Sequence, residues 1–208
     1  MSAQKKNVKI CLLGGTGVGK TCIINRFSNN IFDENTISTS GGSYSVKDVT
    51  IDDKITVHCD VWDTAGQEKF RSLTKHFYKD AYIVGLVYDI TSQNSFNELK
   101  GWYDDLKQNG EKYTVLAVVG NKSDLFENEG VNEDEARQYA ESIGAEFQLV
   151  SAKSGQNINL LFEKLVRIYL GPEFASKVEE MQKDKGEIQK ITNDSAKKTK
   201  KDGKKKFC

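Results

Sequence analysis

A glycine-rich loop at residues 14–21 is the first stretch whose residue types suggest chemistry, and it reads Gly-Gly-Thr-Gly-Val-Gly-Lys-Thr. It lies between an apolar run at 8–13 and a helix-like run at 22–27, the context that a polyphosphate-binding loop requires. Glycines let backbone N–H groups surround a phosphate without a Cβ in the way, and a helix start adds free donors. The residues predicted to bind phosphate are Gly15, Thr16, Gly17, Val18, Gly19, Lys20, Thr21 and Cys22.

Two side chains of this loop have separate predicted roles. Lys20 places a positive charge between the β- and γ-phosphates of a nucleotide. The Thr21 hydroxyl is suited to bind Mg²⁺, an ion that keeps several of its waters and therefore needs few protein ligands. The alternative is an ordinary glycine turn between a strand and a helix, which the complete motif in this context disfavours.

A second polar motif, Trp-Asp-Thr-Ala-Gly-Gln-Glu, begins at the end of a predicted strand. Asp63 is placed to hold Mg²⁺, usually through water. The N–H of Gly66 has no side chain in its way and is predicted to contact the γ-phosphate. Gln67 is neutral and both accepts and donates hydrogen bonds, so it suits the orientation of an attacking water. The alternative is a plain strand-to-loop turn.

A third motif, Asn-Lys-Ser-Asp at 121–124, directly follows another apolar run. The Asp124 carboxylate can accept two N–H bonds at once, and guanine presents such a pair at N1 and N2 whereas adenine does not. Asn121 can tie this loop to the phosphate loop, and the stem of Lys122 can cover the base. Ser-Ala-Lys at 151–153 follows the next strand, where the Ala152 N–H can meet guanine O6. A polar turn is the alternative, but the two motifs together favour guanine.

Predicted strands and helices alternate along the chain, with apolar runs as strands and amphipathic segments as helices. We therefore expect an α/β fold of the P-loop NTPase type: a mostly parallel six-stranded sheet with one antiparallel edge strand and helices on both faces. Ligands of such sheets bind at the carboxyl ends of the strands, where every motif above lies. The predicted strands are 8–13, 43–52, 55–62, 82–88, 115–119 and 147–150, and the predicted helices are 20–28, 92–108, 132–143 and 157–170.

The chain has 208 residues, and we expect a folded domain over 1–171 and a flexible, lysine-rich tail over 172–208. Lys plus Arg equal Asp plus Glu at 30 each, so the bulk charge does not predict a nucleic-acid partner. Seven lysines nevertheless crowd into residues 197–206, which leaves the rest net acidic. Neither a signal peptide nor an apolar run long enough for a membrane span is expected.

The cysteines show no metal-binding spacing. Cys11, Cys22 and Cys59 lie in apolar or periodic segments, so we interpret them as small buried residues in a reducing compartment. Cys208 differs because it is the last residue, and it does not belong to a C-a-a-X prenylation box.

With these motifs in view, the chain resembles the Ras-like small GTPases, and within them the Rab branch, over residues 7–170. The resemblance is carried by the glycine loop, the Ile-Ser-Thr at 37–39, Trp-Asp-Thr-Ala-Gly-Gln-Glu, Asn-Lys-Ser-Asp and Ser-Ala-Lys. The segments Lys-Phe-Arg-Ser-Leu-Thr at 69–74 and Phe-Tyr-Lys-Asp-Ala at 77–81 are similar to Rab sequences, and residues 42–44 faintly resemble endosomal Rabs.

The resemblance implies a GTP/GDP switch that hydrolyses GTP slowly and recruits effectors to membranes in vesicle trafficking. It implies that Thr39 binds Mg²⁺ and touches the γ-phosphate, that Phe32 packs against guanine, and that Lys20, Thr39, Gly66 and Gln67 form the catalytic set. Implied partners are an activating protein, an exchange factor, a dissociation inhibitor or escort protein, and effectors. The implied location is the cytosolic face of intracellular membranes, reached through prenylated Cys208.

The effector-binding residues implied by the resemblance are Tyr44, Trp62 and Phe77, for which core packing is the alternative. The sequence also departs from the Rab pattern at Thr16 and at Ser-Gly-Gly, residues 40–42. These departures leave open a nucleotide-locked scaffold with little turnover. A small-molecule kinase or ATPase is a weaker rival, since Asn-Lys-Ser-Asp opposes adenine.

Overall fold

Six strands form one sheet in the computed structural model, which describes residues 6–36, 39, 42–51, 55–64, 76–109 and 115–171. The strands are β1 (Lys6–Leu13), β2 (Ser43–Ile51), β3 (Ile55–Asp63), β4 (Ile83–Asp89), β5 (Val115–Asn121) and β6 (Glu146–Leu149). The α-helices are α1 (Lys20–Asn29), α2 (Gln93–Asn109), α3 (Glu133–Ser142) and α4 (Ile158–Leu170). Each predicted strand and helix is present, with ends that differ by at most two residues.

The strand order is β2-β3-β1-β4-β5-β6, and only the β2–β3 pair is antiparallel. This confirms the predicted sheet with its antiparallel edge strand. Every residue of β4 and β5 is buried, which is why these central strands are nearly continuous apolar runs in the sequence. Residues 53 and 54, which separate the predicted strands 43–52 and 55–62, lie outside the described residues.

The order of the strands puts helices on opposite faces of the sheet. The chain moves from β1 to β3 in one direction and from β4 to β5 in the other, and right-handed crossovers then place α1 and α2 on opposite faces. On one face, Phe27 of α1 stacks on Phe162 of α4 with ring centroids 3.7 Å apart. On the other, Leu99 and Trp102 of α2 and Ala136 of α3 pack in a common apolar cluster. The crevice between the ends of β1 and β4 is therefore the expected ligand site.

Helix α3 shows how local sequence sets these boundaries. The Asn132 side chain accepts hydrogen bonds from the N–H groups of Asp134 at 2.8 Å and Glu135 at 3.2 Å. Such a side chain satisfies donors that the first helical turn leaves free. Gly144, just past the helix, has a φ of 67°, the left-handed conformation in which helices commonly end.

Two helical segments were missed by the sequence reasoning. Residues Ser123–Asn128 form a 3-10 helix after Lys122, whose φ of 67° is left-handed. Residues 76–78, where no helix is predicted, are also helical. The 3-10 helix is too short to show a hydrophobic period, so the pattern could not reveal it. Cys22 was likewise expected to be buried and is only half-buried.

The described residues up to 169 group into one compact unit. The predicted tail, residues 172–208, lies outside the described residues, so the boundary predicted at 171 stays a prediction. Within the described part of the chain, none of the helices has the length and apolar character needed to cross a bilayer.

Candidate nucleotide-binding site

A cavity of about 330 Å³ opens at the carboxyl ends of the strands. Most of the predicted nucleotide-binding residues line it: Thr16, Gly17, Gly19, Lys20, Thr21, Cys22, Phe32, Thr39, Asn121, Lys122, Asp124, Ala152 and Lys153. Val18 and Ser151 are buried beneath the cavity instead, and Gly15 does not line it. Asp33, Glu34, Thr36, Thr64 and Leu125 also line it and were not predicted. Gly66 and Gln67 lie outside the described residues.

The phosphate loop packs too tightly for side chains at two of its glycines. A Cβ on Gly14, where φ is 150°, would lie 2.2 Å from the carbonyl oxygen of Val87. A Cβ on Gly19, where φ is 91°, would lie 2.3 Å from the side-chain nitrogen of Asn121. Both positions therefore require glycine for space as well as for backbone conformation. The loop can approach Val87 of β4 and Asn121 of the base-recognition motif only because these side chains are missing.

Lys20 lies inside this loop and is 5% exposed. Its Nζ donates hydrogen bonds of 2.8 Å to the carbonyl oxygens of both Gly14 and Gly15. Burial lowers the pKa of Lys20 to about 8, against the opposing effect of the Asp63 carboxylate. A cation that has lost its hydration gains most from an anionic partner, so the loop is electrostatically prepared for phosphate.

Three oxygen atoms from distant parts of the chain meet beside Lys20. The Thr21 hydroxyl donates to Asp63 Oδ2 at 2.7 Å and lies 2.8 Å from the Thr39 hydroxyl oxygen. The Thr39 hydroxyl also donates to Asp63 Oδ2, at 3.1 Å. The three residues predicted to hold a metal are thus brought together by the fold.

The second carboxylate oxygen of Asp63, Oδ1, is buried and has no hydrogen-bond partner. Burial raises the pKa of Asp63, while the hydrogen bond from Thr21 and the charge of Lys20 oppose that rise. Buried polar atoms without a partner are uncommon and costly. Hydroxyl and carboxylate oxygens are the ligands that a hard divalent cation prefers, so the residues present fit Mg²⁺.

Asn121 connects the base-recognition motif to the phosphate loop, as predicted. Its side-chain nitrogen donates to the carbonyl oxygen of Val18 at 2.9 Å, and its side-chain oxygen accepts from the N–H of Ala152 at 3.1 Å. This Ala152 N–H is the group expected to meet guanine O6, and here it points to Asn121. One buried amide thus holds three loops together.

Asp124 is held by the neighbouring loop. Its Oδ1 accepts a hydrogen bond from the Ser151 hydroxyl, whose oxygen in turn accepts from the N–H of Ser154 at 3.0 Å. Because the carboxylate is oriented from one side, its other oxygen is left to recognise a base.

Asp89, which the sequence reasoning missed, orders Lys122. Its Oδ2 forms an ion pair with the ammonium of Lys122. Its Oδ1 accepts hydrogen bonds from the N–H of Thr91 at 2.9 Å and the Thr91 hydroxyl at 2.8 Å. The sequence signal was a carboxylate at the end of a buried strand, the same signal that marked Asp63.

Arg26 is a second residue that the sequence reasoning missed. It binds the loop at 151–153, which we call the base-recognition loop. Its guanidinium donates to the carbonyl oxygen of Ala152 at 2.9 Å and to that of Lys153 at 2.8 Å. A further nitrogen donates to the backbone and side-chain oxygens of Asn30. In the sequence, Arg26 was only a cation in the last turn of a helix, so nothing distinguished it.

The three aromatic residues expected to contact effectors form a row at the sheet edge. The rings of Tyr44 and Trp62 stack with centroids 5.4 Å apart, and those of Trp62 and Phe77 lie 5.9 Å apart. Trp62 and Phe77 are half-buried against the core, whereas Tyr44 is 60% exposed. Core packing therefore explains Trp62 and Phe77 in part but not Tyr44.

Three features lie at one edge of this mostly parallel sheet. They are a phosphate loop with a buried lysine, a cluster of hydroxyl and carboxylate oxygens, and the oriented Asp124 carboxylate of the base-recognition motif. Together they define a P-loop nucleotide-binding protein.

Comparison with known proteins gives the family. The Ras family model matches residues 9–170. Mouse Ras-related protein Rab-31 is 43% identical over 170 residues, 81% of this chain and 87% of that protein. Human Ras-related protein Rab-22A is 43% identical over 162 residues, 78% of this chain and 83% of that protein. Ras-related protein RABD2a of Arabidopsis thaliana is 39% identical over 154 residues, 74% of this chain and 75% of that protein.

The chain therefore belongs to the Ras family, and it is a Rab-type small GTPase similar to the endosomal members. It binds guanine nucleotides, hydrolyses GTP and acts in vesicle trafficking. As in that family generally, its activity is coupled to regulators and effectors.

The contacts of Arg26 lead to a prediction about nucleotide retention. Replacing Arg26 by Gln removes the charged donors to the base-recognition loop, so we expect GDP to dissociate about tenfold faster. Arg26→Lys keeps one charged donor, so its GDP dissociation rate should lie between those of the unmodified chain and Arg26→Gln. The measurement is the dissociation rate of a fluorescent GDP analogue. Arg137→Gln, which removes an exposed arginine paired with Glu133, is the control. An unchanged rate in Arg26→Gln would contradict the role.

Proposed function

We propose that GTP and GDP bind with Mg²⁺ in the cavity at the carboxyl edge of the sheet, and that the γ-phosphate orders two switch segments, residues 32–45 and 63–79. The observation that carries this proposal is the meeting of Thr21, Thr39 and Asp63. Thr39 belongs to the first switch segment and Asp63 begins the second, so binding at this one site orders both segments and loss of the γ-phosphate releases both.

Each residue of the site has a proposed task. Lys20 holds the β- and γ-phosphates, while Thr21, Thr39 and, through water, Asp63 hold the metal. When bound, Mg²⁺ neutralises charge on the phosphates. Gly66 donates its N–H to the γ-phosphate, and Gln67 orients the attacking water. None of the motifs contains an arginine, so intrinsic hydrolysis is slow and an activating protein supplies the missing charge.

The base side of the cavity selects guanine. Asp124 accepts the two N–H groups of the base, and the stem of Lys122 covers the ring. The Ala152 N–H exchanges its present hydrogen bond to Asn121 for one to O6. Phe32, half-buried in the cavity wall, packs against the base edge. A half-buried carboxylate of this kind disfavours adenine, because adenine leaves the carboxylate without the hydrogen bonds of the base.

We also propose how the protein engages its partners. Tyr44, Trp62 and Phe77 form the surface that effectors bind, since Tyr44 is exposed within the first switch segment. An exchange factor, an activating protein and a dissociation inhibitor or escort protein act on the same switch segments. Nucleic acid is not among the proposed partners.

The proposed location is the cytosolic face of intracellular membranes. Prenylation of Cys208 would supply one lipid chain, which alone binds only marginally. The seven lysines at 197–206 would add attraction to anionic lipids of about 1 kcal/mol each. Both features lie outside the described residues, so their support is the sequence. A nucleotide-locked scaffold gains no support from the relatives.

The most direct test of the proposal is to identify the bound nucleotide. The full chain is purified without added nucleotide, denatured, and its released small molecules are separated by chromatography against GDP, GTP, ADP and ATP standards. We expect GDP or GTP at close to one equivalent per chain. Adenine nucleotide, or no nucleotide together with no uptake of GDP, would overturn the proposal.

Gln67→Leu is expected to slow GTP hydrolysis without weakening GTP binding. Leucine cannot hydrogen-bond the attacking water, and the loss of its positioning costs about 10–100-fold in rate. The measurement is single-turnover hydrolysis of prebound GTP, with GTP affinity determined in parallel. Gln108→Leu, an exposed substitution on α2, is the control. A hydrolysis rate equal to that of the unmodified chain would remove Gln67 from the mechanism.

A further inference from the structure

Two oppositely charged side chains meet across the mouth of the cavity. Glu34, from the segment that follows α1, contacts Lys153, from the loop that follows β6. Their Oε1 and Nζ atoms are 2.7 Å apart. Both residues line the cavity, so the ion pair spans its opening. The contact with Glu34 also raises the pKa of Lys153.

Both ends of this bridge are anchored through the backbone. On one side, the N–H of Asn35 donates to Asp33 Oδ1 at 2.9 Å, and the Thr36 hydroxyl donates to the Asp33 carbonyl oxygen at 2.7 Å. These bonds form a turn that presents Glu34. On the other side, the carbonyl oxygen of Lys153 accepts from Arg26. An ion pair between anchored segments loses less entropy than one between two free chains.

We propose that Glu34 and Lys153 form a clasp that slows the release of bound guanine nucleotide. The inference rests on the proposed nucleotide site. The clasp connects the base-recognition loop to a segment that reaches Thr39 five residues later. Opening it would therefore loosen the nucleotide from the base side and free the first switch segment at the same time.

The exposure of the pair decides the size and character of the effect. The side chains of Glu34 and Lys153 are 65% and 58% exposed, so water and salt screen their attraction. Loss of such a pair changes a rate by about two- to fivefold at most. The clasp is therefore a modulator of nucleotide release, and its contribution should disappear as salt rises.

The test measures dissociation of a fluorescent GDP analogue from the full chain at about 50 mM and about 500 mM salt, conditions that differ strongly in screening. At low salt, Glu34→Gln should release nucleotide about two- to fivefold faster than the unmodified chain. At high salt the two rates should converge. Glu163→Gln, which breaks an exposed ion pair with Arg167 on α4, is the matched control and should leave the rate unchanged.

Charge reversal separates attraction from a local structural effect. Lys153→Glu alone should accelerate nucleotide release. Adding Glu34→Lys should slow release part of the way back to the unmodified rate, because the ion pair is re-formed with its charges exchanged. The clasp would be overturned by any of three results. The first is that Glu34→Gln releases nucleotide no faster than the unmodified chain. The second is that Glu163→Gln accelerates release as much as Glu34→Gln does, and the third is that the reversed pair fails to slow release again. If the unmodified chain does not retain GDP at all, the nucleotide site itself fails, and that result is distinct from these three.

Discussion

Replacing Asp124 by Asn is expected to change the preferred nucleotide from GTP to xanthosine triphosphate, with a shift in relative affinity of about a thousandfold. The asparagine amide presents a donor where guanine also presents one, whereas xanthine offers a carbonyl oxygen at C2. The remaining side-chain oxygen still accepts from the Ser151 hydroxyl, so the loop keeps its hydrogen bond.

Competition binding of the two triphosphates to the variant and to the unmodified chain measures this shift. Asp104→Asn, an exposed carboxylate on α2, is the control for loss of one negative charge. If the Asp124 variant still prefers GTP, the assignment of Asp124 to the base is wrong, whatever the absolute affinity.

The second large effect is expected at the oxygen cluster. Asp63→Asn keeps the shape of the side chain but removes its charge, so the apparent affinity for Mg²⁺ should fall by about 10–100-fold, as for residues that act on a metal through its ligands or waters. Thr21→Ala should have a larger effect because Thr21 is the proposed direct ligand.

The appropriate measurement is the rate of GDP release during a Mg²⁺ titration. With chelator present, Asp63→Asn and the unmodified chain should release GDP at similar rates, because only the metal-dependent retention is removed. Asp60→Asn, on the same strand but outside the oxygen cluster, is the matched control. Titration curves that coincide for Asp63→Asn and the unmodified chain would exclude Asp63 from metal binding.

These predictions connect the base side and the phosphate side of one cavity. Asn121 bonds to Val18 in the phosphate loop and to Ala152 in the base-recognition loop, so a disturbance on one side reaches the other. Arg26 adds a connection between α1 and the loop at 151–153, and the Glu34–Lys153 clasp adds another at the mouth of the cavity. Effects of combined substitutions among these residues should therefore not be additive.

The sequence by itself determined the elements and the motifs. Central strands buried on both faces are continuous apolar runs, and a phosphate-binding glycine loop follows a strand and begins a helix. Both features are therefore predictable from residue types that lie close together in the sequence. Asp63, Asn121 and Asp124 were found because each stands where an apolar strand ends. The 3-10 helix Ser123–Asn128 was missed because six residues carry no readable period.

Only the tertiary structure decided which of these separate residues touch. The meeting of Thr21, Thr39 and Asp63 depends on the strand order, which places α1, the first switch segment and the end of β3 at one corner of the sheet. The contacts of Arg26, Asp89 and Glu34 are equally dependent on partners far along the chain. Spacing reports neighbours within one turn or one strand, whereas contacts between distant segments follow from sheet order and register, which no local pattern encodes.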